Sequence, residues 1–135
     1  MKKLAAFAVL VLILGAGCVS NSTGGLEVAL IEGSGQPTIR VDDWQFNRLI
    51  DVEDTLVNRV STGFLEANLR VRNRTGKDFP LQYKFYWFDA NGMEIQPGGR
   101  PWEQINVHGG EAVTLSATSP EKNAVKYVVR LRRIR

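Results

Sequence analysis

The sequence predicts an all-β fold, an antiparallel β-sandwich of immunoglobulin-like appearance with about six to eight short strands. Three observations predict it. Apolar and polar residues alternate with period two in run after run from Thr38 onward. Turn-forming clusters separate these runs at roughly 8–12 residue spacing. No stretch of this region carries the 3.6-residue period of an amphipathic helix. The disulfide-and-tryptophan signature of immunoglobulin domains is absent, because the chain has one cysteine, Cys18.

The first segment is a leader. Lys2 and Lys3 form a basic start, and Leu4 to Leu14 contains only Leu, Ala, Phe, Val and Ile. This run fits the ~7–15 residues of a secretory signal and falls short of the ~20 that span a bilayer as a helix. Gly15, Ala16 and Gly17 are small enough for a peptidase site, and Cys18 follows them. The pattern predicts a lipoprotein signal peptide over residues 1–17, cleaved so that Cys18 becomes the lipidated N-terminus. The usual large aliphatic three residues before the cysteine is replaced by Gly15, with Leu14 one position further back. Two or more acyl chains anchor stably, whereas one is marginal. Val19, rather than Asp, points to sorting to the outer membrane with the domain facing the periplasm.

Residues 18–37 read as the lipidated N-terminus and a flexible tether, rich in Gly, Ser and Asn, with Leu26 to Ile31 as a short strand or helical turn inside it. Such a chain has an r.m.s. reach of roughly 24 Å. The β-sandwich domain is expected over 38–135. Thr38 to Val41 is its first strand. Asp42 to Asn47 is a turn or a single helical turn anchored by Trp44 and Phe46. Arg48 to Val60 fits neither period and reads as a bent or bulged strand. Leu65, Ala67, Leu69 and Val71 alternate with Glu66, Asn68, Arg70 and Arg72, the pattern of a strand with one face in the core. Phe79 to Asp89 places Phe79, Leu81, Tyr83, Phe85 and Trp87 on one face and Gln82, Lys84, Tyr86 and Phe88 on the other. Short strands follow at Trp102 to Val107, around Val113, Leu115 and Ala117, and at Val125 to Leu131. Pro97 and Pro101 exclude a helix between them.

The chain has 17 basic and 14 acidic residues, a net charge of +3. Removing Lys2 and Lys3 with the leader leaves 15 against 14. A net +1 argues against nucleic acid as a partner. With the only thiol lipidated, neither a disulfide nor cysteine chemistry is available.

The stretch Arg74-Thr75-Gly76-Lys77-Asp78-Phe79-Pro80-Leu81-Gln82-Tyr83-Lys84-Phe85-Tyr86-Trp87-Phe88-Asp89-Ala90-Asn91-Gly92 resembles the YcfL-like family of small Gram-negative lipoproteins. So do Pro101-Trp102, His108-Gly109 and Val113-Thr114-Leu115, over residues 48–131. The resemblance implies an outer-membrane lipoprotein with a compact β-rich domain and an unassigned role. It carries over no catalytic residue.

Candidate sites divide into two classes. For an enzyme, a small envelope hydrolase, the candidates are His108 or the loop carboxylates Glu94 and Glu103, or a triad of Ser116, His108 and Asp89. His108-Gly109-Gly110 also reads simply as a turn, and a lone histidine without cysteine partners makes no zinc set. No catalytic residue, metal ligand or cofactor is therefore assigned. For a binding module, Tyr86 and Phe88 are either covered or form an exposed aromatic patch. Trp102 is either a core anchor or lies beside Arg100 at a binding edge. Arg70, Arg72, Lys84, Lys126, Arg130 and Arg132 fall on outward strand faces. The expected function is a non-enzymatic envelope lipoprotein, anchored through Cys18. Its domain binds another envelope component, a protein or peptidoglycan, through Tyr86, Phe88, Arg100 and Trp102.

Overall fold

The computed structural model describes residues 25–98 and 100–134. Cys18, the leader and residues 18–24 lie outside these, so the lipidation and cleavage expectations are not addressed by the fold. Among the described residues, eight strands, all paired antiparallel, form two sheets that face each other. One has five strands in the order β2 (Thr38–Val41), β1 (Gly25–Ile31), β8 (Lys126–Arg133), β5 (Phe79–Phe88), β6 (Glu103–Val107). The other has three, in the order β3 (Ile50–Arg59), β4 (Leu65–Asn73), β7 (Ala112–Thr118). This is the sandwich that the period-two pattern predicts.

Alternation becomes layering directly. On β4, Leu65, Ala67, Leu69 and Val71 are fully buried. Their counterparts across the interior are Leu81, Phe85 and Trp87 of β5 and Tyr127, Val129 and Leu131 of β8. Each such aliphatic or aromatic side chain contributes about 1.5–3 kcal/mol on burial. The Tyr127 hydroxyl is hydrogen-bonded to Thr55 Oγ1, which ties the two sheets together across the core.

The bent strand expected over Arg48 to Val60 is β3 with a bulge between Val52 and Asp54. The bulge shifts the phase by one residue, so Ile50 and Val52 face inward before it and Thr55 and Val57 after it. Leu56 is correspondingly turned out to solvent. Glu53, the bulged residue, accepts from Arg70 Nε at 2.9 Å and also from Arg72 Nε.

Residues 25–37 are part of the folded domain, which corrects the expected boundary at Thr38. Leu26, Val28 and Leu30 of β1 are buried, and β1 pairs on one side with β2 and on the other with β8. The glycine-rich stretch after β1 is its hairpin turn, with Gly33 and Gly35 at φ 79° and 64°. There a side chain would be strained, so the composition of a flexible linker and that of a tight turn coincide.

Asp43 caps the one-turn helix α1 (Trp44–Asn47), its Oδ1 accepting from the backbone N–H of Gln45 and Phe46 at 2.9 and 3.2 Å. Phe46 anchors it in the core, but Trp44 is 61% exposed and does not.

Candidate functional site

The register of the five-stranded sheet determines what its outer face carries. Tyr86 is opposite Val128, Lys84 opposite Arg130, Gln82 opposite Arg132 and Phe88 opposite Lys126. Beyond β8, Arg130 is opposite Glu27, Val128 opposite Ala29 and Lys126 opposite Ile31. Antiparallel partners share a face, so these side chains form one surface. Strands β5 and β8 contribute Lys84, Lys126, Arg130 and Arg132 to it and no carboxylate.

Each of these cations lies over an aromatic ring. Lys84 Nζ and the Arg130 guanidinium are 5.2 and 5.1 Å from the centre of the Tyr86 ring. Lys126 Nζ is 5.3 Å from that of Phe88. The Arg132 guanidinium is 3.8 Å from that of Trp102, in the segment that leads into β6. At such distances a cation is attracted by the ring quadrupole, by about 0.5–1 kcal/mol where solvent is near. The aliphatic stems cover the rings while the charged heads stay in water. Tyr86, Phe88 and Trp102 are accordingly half-buried, and Val128 between them is buried although it lies outside the core cluster.

The charge on this face is uneven. Glu27 pairs with Arg130 at 2.9 Å and Asp42 with Arg40 at 3.1 Å, both toward the β1–β2 side. Glu94 bridges to Phe88 at the rim. Among the described residues, Lys84, Lys126 and Arg132 have no carboxylate within 4.0 Å. The outer face of the three-stranded sheet has the opposite balance. There Asp51, Glu53, Asp54 and Glu66 outnumber Arg70 and Arg72, and Glu53 engages both arginines. The six cations expected on outward faces therefore separate into Arg70 and Arg72, both engaged by Glu53, and a group of four on the other sheet, of which only Arg130 has a carboxylate partner among the described residues.

Arg100, just before β6, sits at the edge of the same sheet. It lines a cleft of about 220 Å³ with Tyr83, Lys84, Glu103 and Pro101. In it the Tyr83 hydroxyl donates to Glu103 Oε2 at 2.8 Å. Burial first, and then the adjacent carboxylate, push the Tyr83 phenol up to about 12, so it stays a neutral donor. Of the four expected contact residues, Tyr86, Phe88 and Trp102 are brought onto one face and Arg100 to its margin.

The enzyme candidates do not converge. Asp89 is spent on its own turn, its Oδ1 accepting from the N–H of Asn91 and Met93. His108 follows β6, whose last residue Val107 is opposite Phe79 at the far end of β5. The two ends of this ten-residue strand are separated by roughly 30 Å at ~3.3 Å per residue. Glu103 is hydrogen-bonded to Tyr83 partway along, and Ser116 donates to Asn68 Oδ1 on the outside of the other sheet. His108 Nδ1 is 3.0 Å from Asp78 Oδ2, and the same carboxylate accepts from Gly109 N–H at 2.9 Å. This exposed pair raises the His108 value and lowers that of Asp78, each mainly through their shared hydrogen bond. It clamps the 108–110 turn to the 74–78 loop, where Gly109 lies so close to the Gly76 backbone that a Cβ would stand 2.6 Å from its carbonyl carbon. Among the described residues, no group of three or more His, Cys, Asp or Glu could hold a metal ion.

Residues 37–133 match a family described as "Protein of unknown function (DUF1425)". A crystal structure of a DUF1425 family member from Shewanella sp. pv-4 superposes with a TM-score of 0.59 and 31% identity, covering 79% of this chain and 96% of that one. The crystal structure of Campylobacter jejuni cj0090 shares the fold, with a TM-score of 0.55 and 19% identity over 77% of this chain and 96% of that one. No curated protein matches the chain.

Proposed function

The chain belongs to the DUF1425 family of proteins of unknown function, and on that premise we propose that it is a non-enzymatic envelope lipoprotein whose sandwich domain binds an anionic envelope component. In this reading the leader is removed before Cys18, the cysteine is lipidated, and the domain faces the periplasm from the outer membrane. The Leu81-Gln82-Tyr83 and Trp87-Phe88-Asp89 blocks support assigning it more narrowly to the YcfL-like lipoproteins.

One observation carries the binding part. Four cations from β5 and β8 stand over Tyr86, Phe88 and Trp102 on one sheet face, three of them without a carboxylate partner among the described residues. Exposed cations held in place by stacking lose little side-chain freedom on meeting an anion, which favours association. The scattered positions of His108, Asp89, Glu94, Glu103 and Ser116 give the hydrolase reading no geometric support.

The test is crosslinking in intact envelopes. A photoreactive residue at position 86 is expected to capture an envelope component, and Arg132→Glu with Lys84→Glu is expected to abolish the adduct. A Cys18→Ser change is expected to release the protein from the membrane. Persistence of the adduct in the charge-reversed protein would remove the binding proposal, and persistence of membrane association would remove the anchor.

A further inference from the structure

The cation–aromatic face has a place in the chain as well as a chemistry. Its Arg132 end is where the sheet begins, for Gly25, the first residue of β1, is the cross-strand partner of Arg132. That point is pinned: the Gly25 carbonyl accepts from the N–H of Asp42 and Asp43 at 2.9 and 3.1 Å. Only residues 19–24 separate it from Cys18, and at full extension the whole stretch from Cys18 to Gly25 spans no more than roughly 25 Å. A lipid on Cys18 would therefore hold the Arg132 end of this face within that distance of the bilayer, whereas a fully extended tether running to Pro37 would allow roughly 65 Å.

The opposite end of the face carries an exposed aliphatic side chain beside a cation. Ile31, opposite Lys126, is 51% exposed. Cations, half-buried aromatic rings and a projecting aliphatic side chain on one sheet face are the combination found at membrane–water interfaces. There Lys and Arg meet phosphates, and Trp and Tyr rest at the headgroup level. An acidic polymer would use the cations and leave Ile31 idle.

Resting on the lipoprotein reading above, we propose that the outer face of the five-stranded sheet docks flat on the anionic phospholipid headgroups of the membrane that carries the anchor. Lys84, Lys126, Arg130 and Arg132 meet headgroup phosphates, Trp102 and Tyr86 lie at the interface, and Ile31 contacts the acyl boundary. The domain is then laid down on the bilayer rather than held away from it, and the three-stranded sheet is the surface left facing outward.

The experiment uses the unlipidated domain from Val19, which contains every described strand and core residue, so that binding does not depend on Cys18. It is sedimented with phosphatidylcholine vesicles and with vesicles containing an equal part of phosphatidylglycerol. Partition onto the anionic vesicles only is expected, falling about fivefold for each cation removed. Lys126→Gln, an outward side chain whose change leaves the core untouched, should show that drop, and Ile31→Ser should weaken binding without altering the charge. An Arg70→Gln change on the opposite face should have no effect. No difference between the two vesicle types, or undiminished binding by Lys126→Gln, would overturn the proposal. So would binding to polyglutamate or to nucleic acid in place of anionic vesicles, which would assign the face to an acidic polymer. These outcomes are independent of the Cys18→Ser release experiment, so failure of the anchor and failure of the docking face are read separately.

Discussion

The guanidinium of Arg132 lies 3.8 Å from the centre of the Trp102 ring, and its Nε donates to Gln82 Oε1 at 2.8 Å. The stack joins β8 to the segment before β6 across the whole width of β5, so it closes one end of the outer face. Arg132→Ala is expected to cost about 1 kcal/mol, with Trp102→Ala adding little on top of it, because the two share one interaction. A double-mutant cycle in urea checks this, and a coupling indistinguishable from zero would mean the stack holds nothing.

Strand β1 lies in the interior of the five-stranded sheet, with Leu26, Val28 and Leu30 in the core. Deleting it would unpair both β2 and β8 and remove three buried aliphatic side chains, worth about 1.5–3 kcal/mol each. That loss is comparable to the whole stability of a domain this size. A chain beginning at Thr38 is expected to be unfolded by near-ultraviolet circular dichroism, while one beginning at Val19 melts cooperatively.

Asn73 is fully buried at the end of β4 and makes a complete set of hydrogen bonds. Its Nδ2 donates to the carbonyls of Lys77 and Val107 at 2.7 and 3.0 Å, and its Oδ1 accepts from the N–H and hydroxyl of Thr75 at 2.8 and 2.7 Å. The single side chain thus shapes the 74–78 loop and ties it to β6. Asn73→Ala leaves several of these groups unpaired in a dry site, so a loss of about 2–4 kcal/mol is expected in chemical denaturation. A loss below ~0.5 kcal/mol would show that water replaces the amide.

The Asp78–His108 clamp makes stability depend on pH with a defined sign. His108 is raised from its ordinary 6.5, so its contribution is complete below that value and is lost as pH rises through the higher folded value. Asp78 is lowered from 3.8, so its contribution is complete above that value and is lost as pH falls through the lower folded value. The Tm difference between the native protein and His108→Gln should therefore be greatest between pH 3.8 and 6.5 and shrink on either side. A difference that grows above neutrality would contradict the pairing.

Much of the sandwich was legible in the chain. Leu65 to Val71 and Leu81 to Trp87 are each long enough for period two to be unmistakable, and the broken pattern over Arg48 to Val60 reads as a bent or bulged strand, whose bulge the pairing places at Glu53. Strand β1 was only partly legible: Leu26 to Ile31 reads as a short strand or a helical turn within a tether, because three alternating apolar residues between glycine-rich segments carry too little local signal. What makes them a strand is the unfilled hydrogen bonds of β8 and the apolar surface beside it. Trp44 and Phe46 show the same limit on a smaller scale: both are aromatic, and only the orientation set by the Asp43 cap decides that Phe46 is inside.

The candidate face was half legible. Alternation alone set Tyr86 and Phe88 against the core residues of β5, and counted the cations that alternate with apolar positions. It could not divide those cations between surfaces, since Arg70 and Arg72 have the same local pattern as Arg130 and Arg132. That division belongs to the pairing of strands distant in sequence. β4 took the bulge at Glu53 as its neighbour, while β8 took β5 and, through it, Trp102. Local sequence determined which side chains point outward, because side-chain direction repeats every two residues along any strand. Which of them share a surface, and with what charge, was decided only when the sheets closed over their common core, because that is where burial chooses each strand's partners.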